Sequence, residues 1–188
     1  MPDLGIAYIG PVPLTTDTLP GILARLDLPP SLIAVDTETI SIKDKTCIGI
    51  GIALSAQEAV YFRVLPDMSI EVDHLINCLC NAAITKIGHN ILFDLQVLAT
   101  VREELGWPSI DLTNIADTSI MARVQGLEAS LQSLTYTLLG RYIQSYGEML
   151  VEEGGGRKVH PLSIHWSKIA NKCLQDCLAT YQLYPKLW

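Results

Sequence analysis

The stretch that most constrains this chain is Ala34-Val35-Asp36-Thr37-Glu38-Thr39, where an apolar run beginning at Leu32 ends in two acids one residue apart. Leu32-Ile33-Ala34-Val35 suits a buried β-strand, and along a strand residues i and i+2 point to the same face. Asp36 and Glu38 therefore project side by side from the end of an interior strand. Like charges so placed repel, and acids are rarely buried without partners. A divalent metal ion is the simplest partner. An acidic strand end facing water is the alternative that the pair alone leaves open.

Two more acids stand where ordinary packing would not choose them. Gly88-His89-Asn90-Ile91-Leu92-Phe93-Asp94 follows a short apolar stretch and leads into Leu95, Val97, Leu98 and Val101, with the apolar spacing of a helix. That spacing puts Asp94 in the helix's first turn. Near the C-terminus Ile169, Cys173, Asp176, Cys177, Thr180 and Leu183 step along one helical face in threes and fours. An acid inside such an apolar stripe needs a cation or hydrogen-bond donors. Asp36 with Glu38, Asp94, and Asp176 thus sit on three elements far apart in sequence.

Taken together, these motifs resemble the proofreading 3′–5′ exonuclease domain of family A (DNA polymerase I-type) DNA polymerases. That domain belongs to the four-acid (DEDD) branch of the RNase H-like superfamily, which includes RNase D. The resemblance runs from about Leu32 to Trp188. Asp36-Thr37-Glu38-Thr39 corresponds to the first motif and Gly88-His89-Asn90 through Phe93-Asp94 to the second. Asp117-Thr118-Ser119-Ile120-Met121 looks like the family's Asp-Thr helix start, and Ser130-Leu131-Gln132-Ser133-Leu134 like its next helix. The third motif falls in Lys172-Cys173-Leu174-Gln175-Asp176.

The resemblance implies phosphodiester hydrolysis with two Mg²⁺ or Mn²⁺ ions about 3.5–4 Å apart, which activate water and stabilise the leaving 3′-oxygen. Carboxylates suit such hard cations. By similarity Asp36 bridges both ions, Glu38 and Asp176 hold the one that activates water, and Asp94 binds the second through water. Thr37, Asn90 and Phe93 are the implied substrate residues: Asn90 contacts the nucleic-acid backbone and Phe93 packs or stacks beside it. For Asn90 a helix cap is an equal alternative. One position departs from the pattern. Where the polymerase I branch has a Tyr four residues before the last acid, this chain has Lys172, and where the proofreading-subunit branch has a His five before it, this chain has Asn171. Lys172 shares a helix face with Asp176, but an ammonium only donates hydrogen bonds and makes a poor base. It can hold a phosphate oxygen or offset carboxylate charge. His165 and Tyr181 are the nearest substitutes by sequence, and neither has the expected spacing.

Composition is consistent with one exonuclease-like domain over residues 1–188: 49% hydrophobic content is enough for a sizeable core. No basic region followed by an apolar core opens the chain, and no apolar run is long enough to span a bilayer. Five cysteines, an odd count, point to free thiols in a cytoplasmic setting, with Cys78, Cys80, Cys173 and Cys177 as packing residues. The net charge of −7 is unusual for a nucleic-acid binder. It suits a domain that loads divalent ions and grips only a single-stranded or frayed DNA 3′ end, beside a polymerase domain or subunit that holds the duplex. Tight, metal-independent duplex binding in a gel shift would contradict this.

The expected fold is α/β: an RNase H-like mixed five-stranded sheet flanked by helices on both faces. Strands are expected at Gly5–Gly10, Leu32–Glu38, Thr46–Leu54, Ala59–Leu65 and Thr85–Gly88. Helices are expected near Thr18–Leu26, at Ile70–Ala83, at Asn90–Leu105, two or three between Asp117 and Tyr142, and from about Ser163 to Leu187. Gly154-Gly155-Gly156-Arg157-Lys158, just before the last helix, is either a substrate loop or a solvated connection; Glu152 and Glu153 oppose an anion there. His160, His165, Trp107 and Trp166 are taken as packing or surface residues. Three functions follow: an active proofreading exonuclease, a degenerate exonuclease fold that positions DNA, and an RNase D-like RNA-trimming enzyme.

Overall fold

A computed structural model describes residues 5–64 and 72–188. Its six strands are β1 (Ile6–Ile9), β2 (Leu32–Thr39), β3 (Cys47–Ser55), β4 (Glu58–Arg63), β5 (Thr85–Gly88) and β6 (Ile115–Asp117). They form one mixed sheet in the order β1-β4-β3-β2-β5-β6. The short turns between β2, β3 and β4 make them antiparallel neighbours, and β2, β5 and β6 run parallel.

The helices are α1 (Leu19–Asp27), α2 (Val72–Leu79), α3 (Ile91–Leu105), α4 (Thr118–Val124), α5 (Leu131–Leu139), α6 (Tyr146–Glu153) and α7 (Trp166–Leu187). Strand alternation sorts them onto two faces. Ile33 and Val35 of β2, with Ile50, Ile52 and Leu54 of β3, pack against Leu23 and Leu26 of α1, Leu75 and Leu79 of α2, and Leu98 and Val101 of α3. Ala34, Ala53, Ala59, Tyr61 and Ile87 look the other way, onto Ala170, Cys173, Leu174, Cys177 and Leu178 of α7. The β3 residues facing α7, Gly51 and Ala53, are small for a reason. A Cβ on Gly51 would lie 2.6 Å from the Cys173 sulfur and 2.8 Å from that of Cys177. Only glycine lets α7 lie this close to the middle of β3.

The sheet has one strand more than expected. β6 is three residues long, too short for alternation to announce it, and it follows Asn114, whose φ of 53° is left-handed. Between Asp117 and Tyr142 there are two helices. α6 is a further helix ahead of the glycine run, opened by a capping box between Ser145 and Glu148. The last helix begins at Trp166, with a single 3₁₀ turn at Pro161–Ser163 before it. Leu65 of the expected fourth strand and the start of the expected Ile70–Ala83 helix lie outside the described residues.

Candidate active site

Strand parity decides where the first two acids point. Ala34, Asp36 and Glu38 share the face covered by α7, while Thr37 belongs to the face that meets α3. The hydrogen bonds bear this out: the Thr37 backbone N–H and hydroxyl both donate to Asp94 Oδ1, at 2.9 and 2.6 Å. On the opposite side the Cys173 thiol donates to the Asp36 carbonyl at 3.6 Å. β2 is thus pinned between α3 and α7 at the point where its acids emerge.

A cleft of about 800 Å³ opens there, and Asp36, Glu38, Asp94 and Asp176 all line it. Thr37, Asn90 and Phe93 line it as well. Every acid and substrate residue singled out from sequence comes to this one cleft, and Lys172 lies under Asp176. Burial pushes the Asp36 carboxyl well above the ordinary carboxylate range, and the charges of Asp94 and Asp176 push it further. Glu38 is raised in the same way, first by burial and then by Asp36 and Asp176. Asp94, only 4% exposed, is raised by burial from 3.8 to about 7, against the pull of its two Thr37 bonds. Mutual repulsion of this kind is what a site prepared for cations looks like before they arrive.

Lys172 also sits in this cluster. It is 4% exposed, donates to Asp176 Oδ2 from one turn earlier on α7, and its charge draws on Asp36 and Glu38 as well. Asp176 Oδ1, by contrast, is buried without a hydrogen-bond partner. The donors facing the cleft are carboxylate oxygens, one of them orphaned, and such a set fits a hard divalent cation. An Asp36 oxygen also lies within 4.8 Å of the Cys173 and Cys177 sulfurs. Burial raises both thiols, Cys177 to about 11. They stay protonated at neutral pH and serve as packing, as their spacing suggested.

Asn90 stands at the N-cap of α3 with a left-handed φ of 66° and no capping bond from its side chain. The cap comes from Asp117, which accepts from the backbone N–H groups of Asn90 and Ile91, both at 3.0 Å, and also from Ser119 and Ile120 of α4. The Asn90 side chain is therefore left at the cleft. Phe93 is half-buried, with the Lys45 ammonium 5.6 Å from its ring centre.

Sequence reasoning missed part of the rim. Lys43, Tyr146 and His160 also line the cleft, as does Lys158 of the candidate substrate loop, and the Tyr146 hydroxyl donates to the Thr39 carbonyl at 3.4 Å. His165 and Tyr181 do not line it: His165 caps α7 and Tyr181 packs against the core on the α7 side. The capping box of α6 was the one local signal that could have brought Tyr146 into view.

A mixed sheet of this order, with acids at the end of β2 and on helices from both faces, defines a nuclease of the RNase H-like class. The chain matches the 3′–5′ exonuclease domain of family A DNA polymerases over residues 12–188, and it belongs to that family. It is a 3′–5′ exonuclease domain of the DEDD type, a family that depends on divalent metal ions. A sequence comparison with curated proteins finds no match. Among solved structures it is similar to Brucella melitensis NrnC with bound Mg²⁺, with 21% identity and a TM-score of 0.60 over 84% of this chain and 71% of that one. It is also similar to the catalytic core of RRP6 from Trypanosoma brucei, with 19% identity and a TM-score of 0.59 over 92% of this chain and 44% of that one. A third is M. smegmatis Pol1 in complex with DNA primer-template and dNTP, with 15% identity, a TM-score of 0.62 and 93% of this chain covered. The chain spans 26% of that polymerase.

Proposed function

We propose that this protein removes nucleotides one at a time from DNA 3′ ends, as a proofreading exonuclease beside a polymerase domain or subunit. The observation that carries the reading is the meeting of Asp36, Glu38, Asp94 and Asp176 in one cleft. These four carboxylates would hold the divalent ions, Mg²⁺ or Mn²⁺, that such a reaction needs. When bound, such ions would offset the negative charge of the scissile phosphate and lower the pKa of a bound water.

The chain's own groups prepare that reaction. Asp36 feels the charge of both Asp94 and Asp176, so it would be the acid that a bound cation relieves most. Thr37 holds Asp94 by two bonds, so that carboxylate is oriented before any ion binds. Phe93 offers a face for the terminal base and Asn90 an amide for the backbone. Lys43, Lys158 and His160, all exposed at the rim, meet the phosphates of the incoming strand. Lys172 orients Asp176 and takes no proton, since the neighbouring carboxylates raise its pKa against the effect of burial.

A substrate with a ribose 3′ end is the second reading, supported by the likeness to RRP6 and NrnC. One assay separates the readings. A 5′-labelled DNA oligonucleotide with a 3′ extension, and its RNA counterpart, are incubated with the protein and Mg²⁺ or Mn²⁺, alongside Asp36→Ala. The expected result is a single-nucleotide ladder on DNA that vanishes in the variant and in EDTA. Faster trimming of RNA would establish the second reading. No ladder under any metal would leave a degenerate module, and a ladder that persists in the variant would mark a contaminant.

A further inference from the structure

Further along α7 lies a second groove, of about 470 Å³, that shares no lining residue with the catalytic cleft. Pro185, which lines it, stands about 14 Å past Asp176 along the helix, at a rise of about 1.5 Å per residue. Leu138 and Leu139 from the end of α5 meet Tyr181 and Pro185 of α7 there, and give the groove an apolar lining. Tyr181 and Pro185 are one turn apart and share a helix face.

Two exposed cations, Arg141 and Lys186, line the same groove. Arg141 is held in place. Its guanidinium donates to the Gln182 side-chain oxygen at 2.8 Å, and the Gln182 amide donates to the Ala56 carbonyl at 2.5 Å. Among the described residues neither cation pairs with a carboxylate, although the chain has 20 acids against 13 lysines and arginines. Pro185 adds a third feature. It has no N–H, so the Tyr181 carbonyl one turn back lacks its helical donor at the groove.

An apolar lining, two unpaired cations and an open carbonyl match a ligand with an apolar side chain, carboxylates and an N–H. A peptide backbone carries an N–H at every residue except proline, whereas a phosphodiester backbone has none. We propose that this groove docks an acidic peptide segment of a partner protein. An apolar side chain of the segment packs between α5 and α7, and its carboxylates meet Arg141 and Lys186.

The test pans a random peptide library, displayed on phage, against the full chain after depletion on the double variant Arg141→Glu/Lys186→Glu. Both substitutions fall at exposed positions outside the catalytic cleft, and thermal melts confirm that the variant folds. The expected result is an enriched family of acidic peptides with a large apolar anchor. In fluorescence anisotropy, synthetic members of that family bind the double variant at least about tenfold more weakly than the wild type, and salt weakens them further. Leu138→Gln, which leaves the charges in place, weakens them as well. Enriched peptides that are neutral or basic, or no peptide that tells the two proteins apart, would overturn the inference. So would a single-stranded oligonucleotide that loses affinity in the double variant when no acidic peptide does, since the groove would then belong to a nucleic-acid surface.

Discussion

Asp94→Asn should make the metal-free protein more stable at alkaline pH. Asp94 ionises near 3.8 in an unfolded chain, but burial in the first turn of α3 raises it to about 7 in the folded protein. Between those values the folded state binds the extra proton, so stability falls as pH rises. The contribution is fully present below about pH 4 and gone above about pH 7. Its size follows from a roughly thousandfold change in proton affinity, at about 1.4 kcal/mol per factor of ten, or about 4 kcal/mol. Because the side chain is only 4% exposed, solvent screening takes little from this figure. Asparagine keeps a carbonyl to accept the two Thr37 bonds and removes the charge. Allowing for its new amide, which needs an acceptor, the gain at pH 8 is about 2–4 kcal/mol, or roughly 5–15 °C in melting temperature for a chain of this size. The assay is thermal denaturation in EDTA at about pH 8 and about pH 4, where the wild-type side chain is largely protonated and the gap should shrink. Saturating Mn²⁺ at pH 8 should raise the wild type more than the variant. The reasoning fails if Asp94→Asn melts at or below the wild type in EDTA at pH 8, or if the gap is the same at both pH values.

Three other substitutions probe the framework. Gly51→Ala forces a methyl group against Cys173 and Cys177; it should destabilise by about 1–3 kcal/mol in urea unfolding and lower nuclease activity, because α7 carries Asp176. Asp117→Ala removes the acceptor for four helix-terminal N–H groups across α3 and α4, with an expected loss of about 2–4 kcal/mol and weaker hydrogen-exchange protection at the start of α3. Lys172→Tyr places a hydroxyl one turn before Asp176 and should raise the rate of 3′-end hydrolysis several-fold in single-turnover kinetics. An unchanged or lower rate would mean that another group, such as Tyr146 in the cleft, orients the water.

The parts of the fold legible in sequence were those whose period is long enough to read. β2 announced itself as an apolar run ending in paired acids, and α3 and α7 through apolar spacing over 15 and 22 residues. β6 offered three residues and no alternation. α6, at eight residues, has a short apolar face, and only Ser145 with Glu148 marks its start.

The acids of the site were legible because each violates its local pattern: a carboxylate at the end of a buried strand, in a helix's first turn, or within an apolar stripe. Their partners were not. Thr37 and Asp94 are 57 residues apart in sequence, and nothing local says that one holds the other. Asp117 resembled an ordinary helix start, yet it caps two helices. Lys43 and His160 are exposed polar residues on loops, indistinguishable in sequence from any solvated side chain, and Lys158 stood out only as part of a glycine-rich loop whose neighbouring acids, Glu152 and Glu153, oppose an anion. Only the folded arrangement brings them to the same rim.

The central claim is that the four carboxylates hold hard cations. Anomalous diffraction from crystals soaked in Mn²⁺ tests it most directly. The account predicts a peak bounded by Asp36, Glu38, Asp94 and the free Oδ1 of Asp176. A map with no peak in the cleft, or with the ion bound instead by Asp36, Cys173 and Cys177, would contradict it.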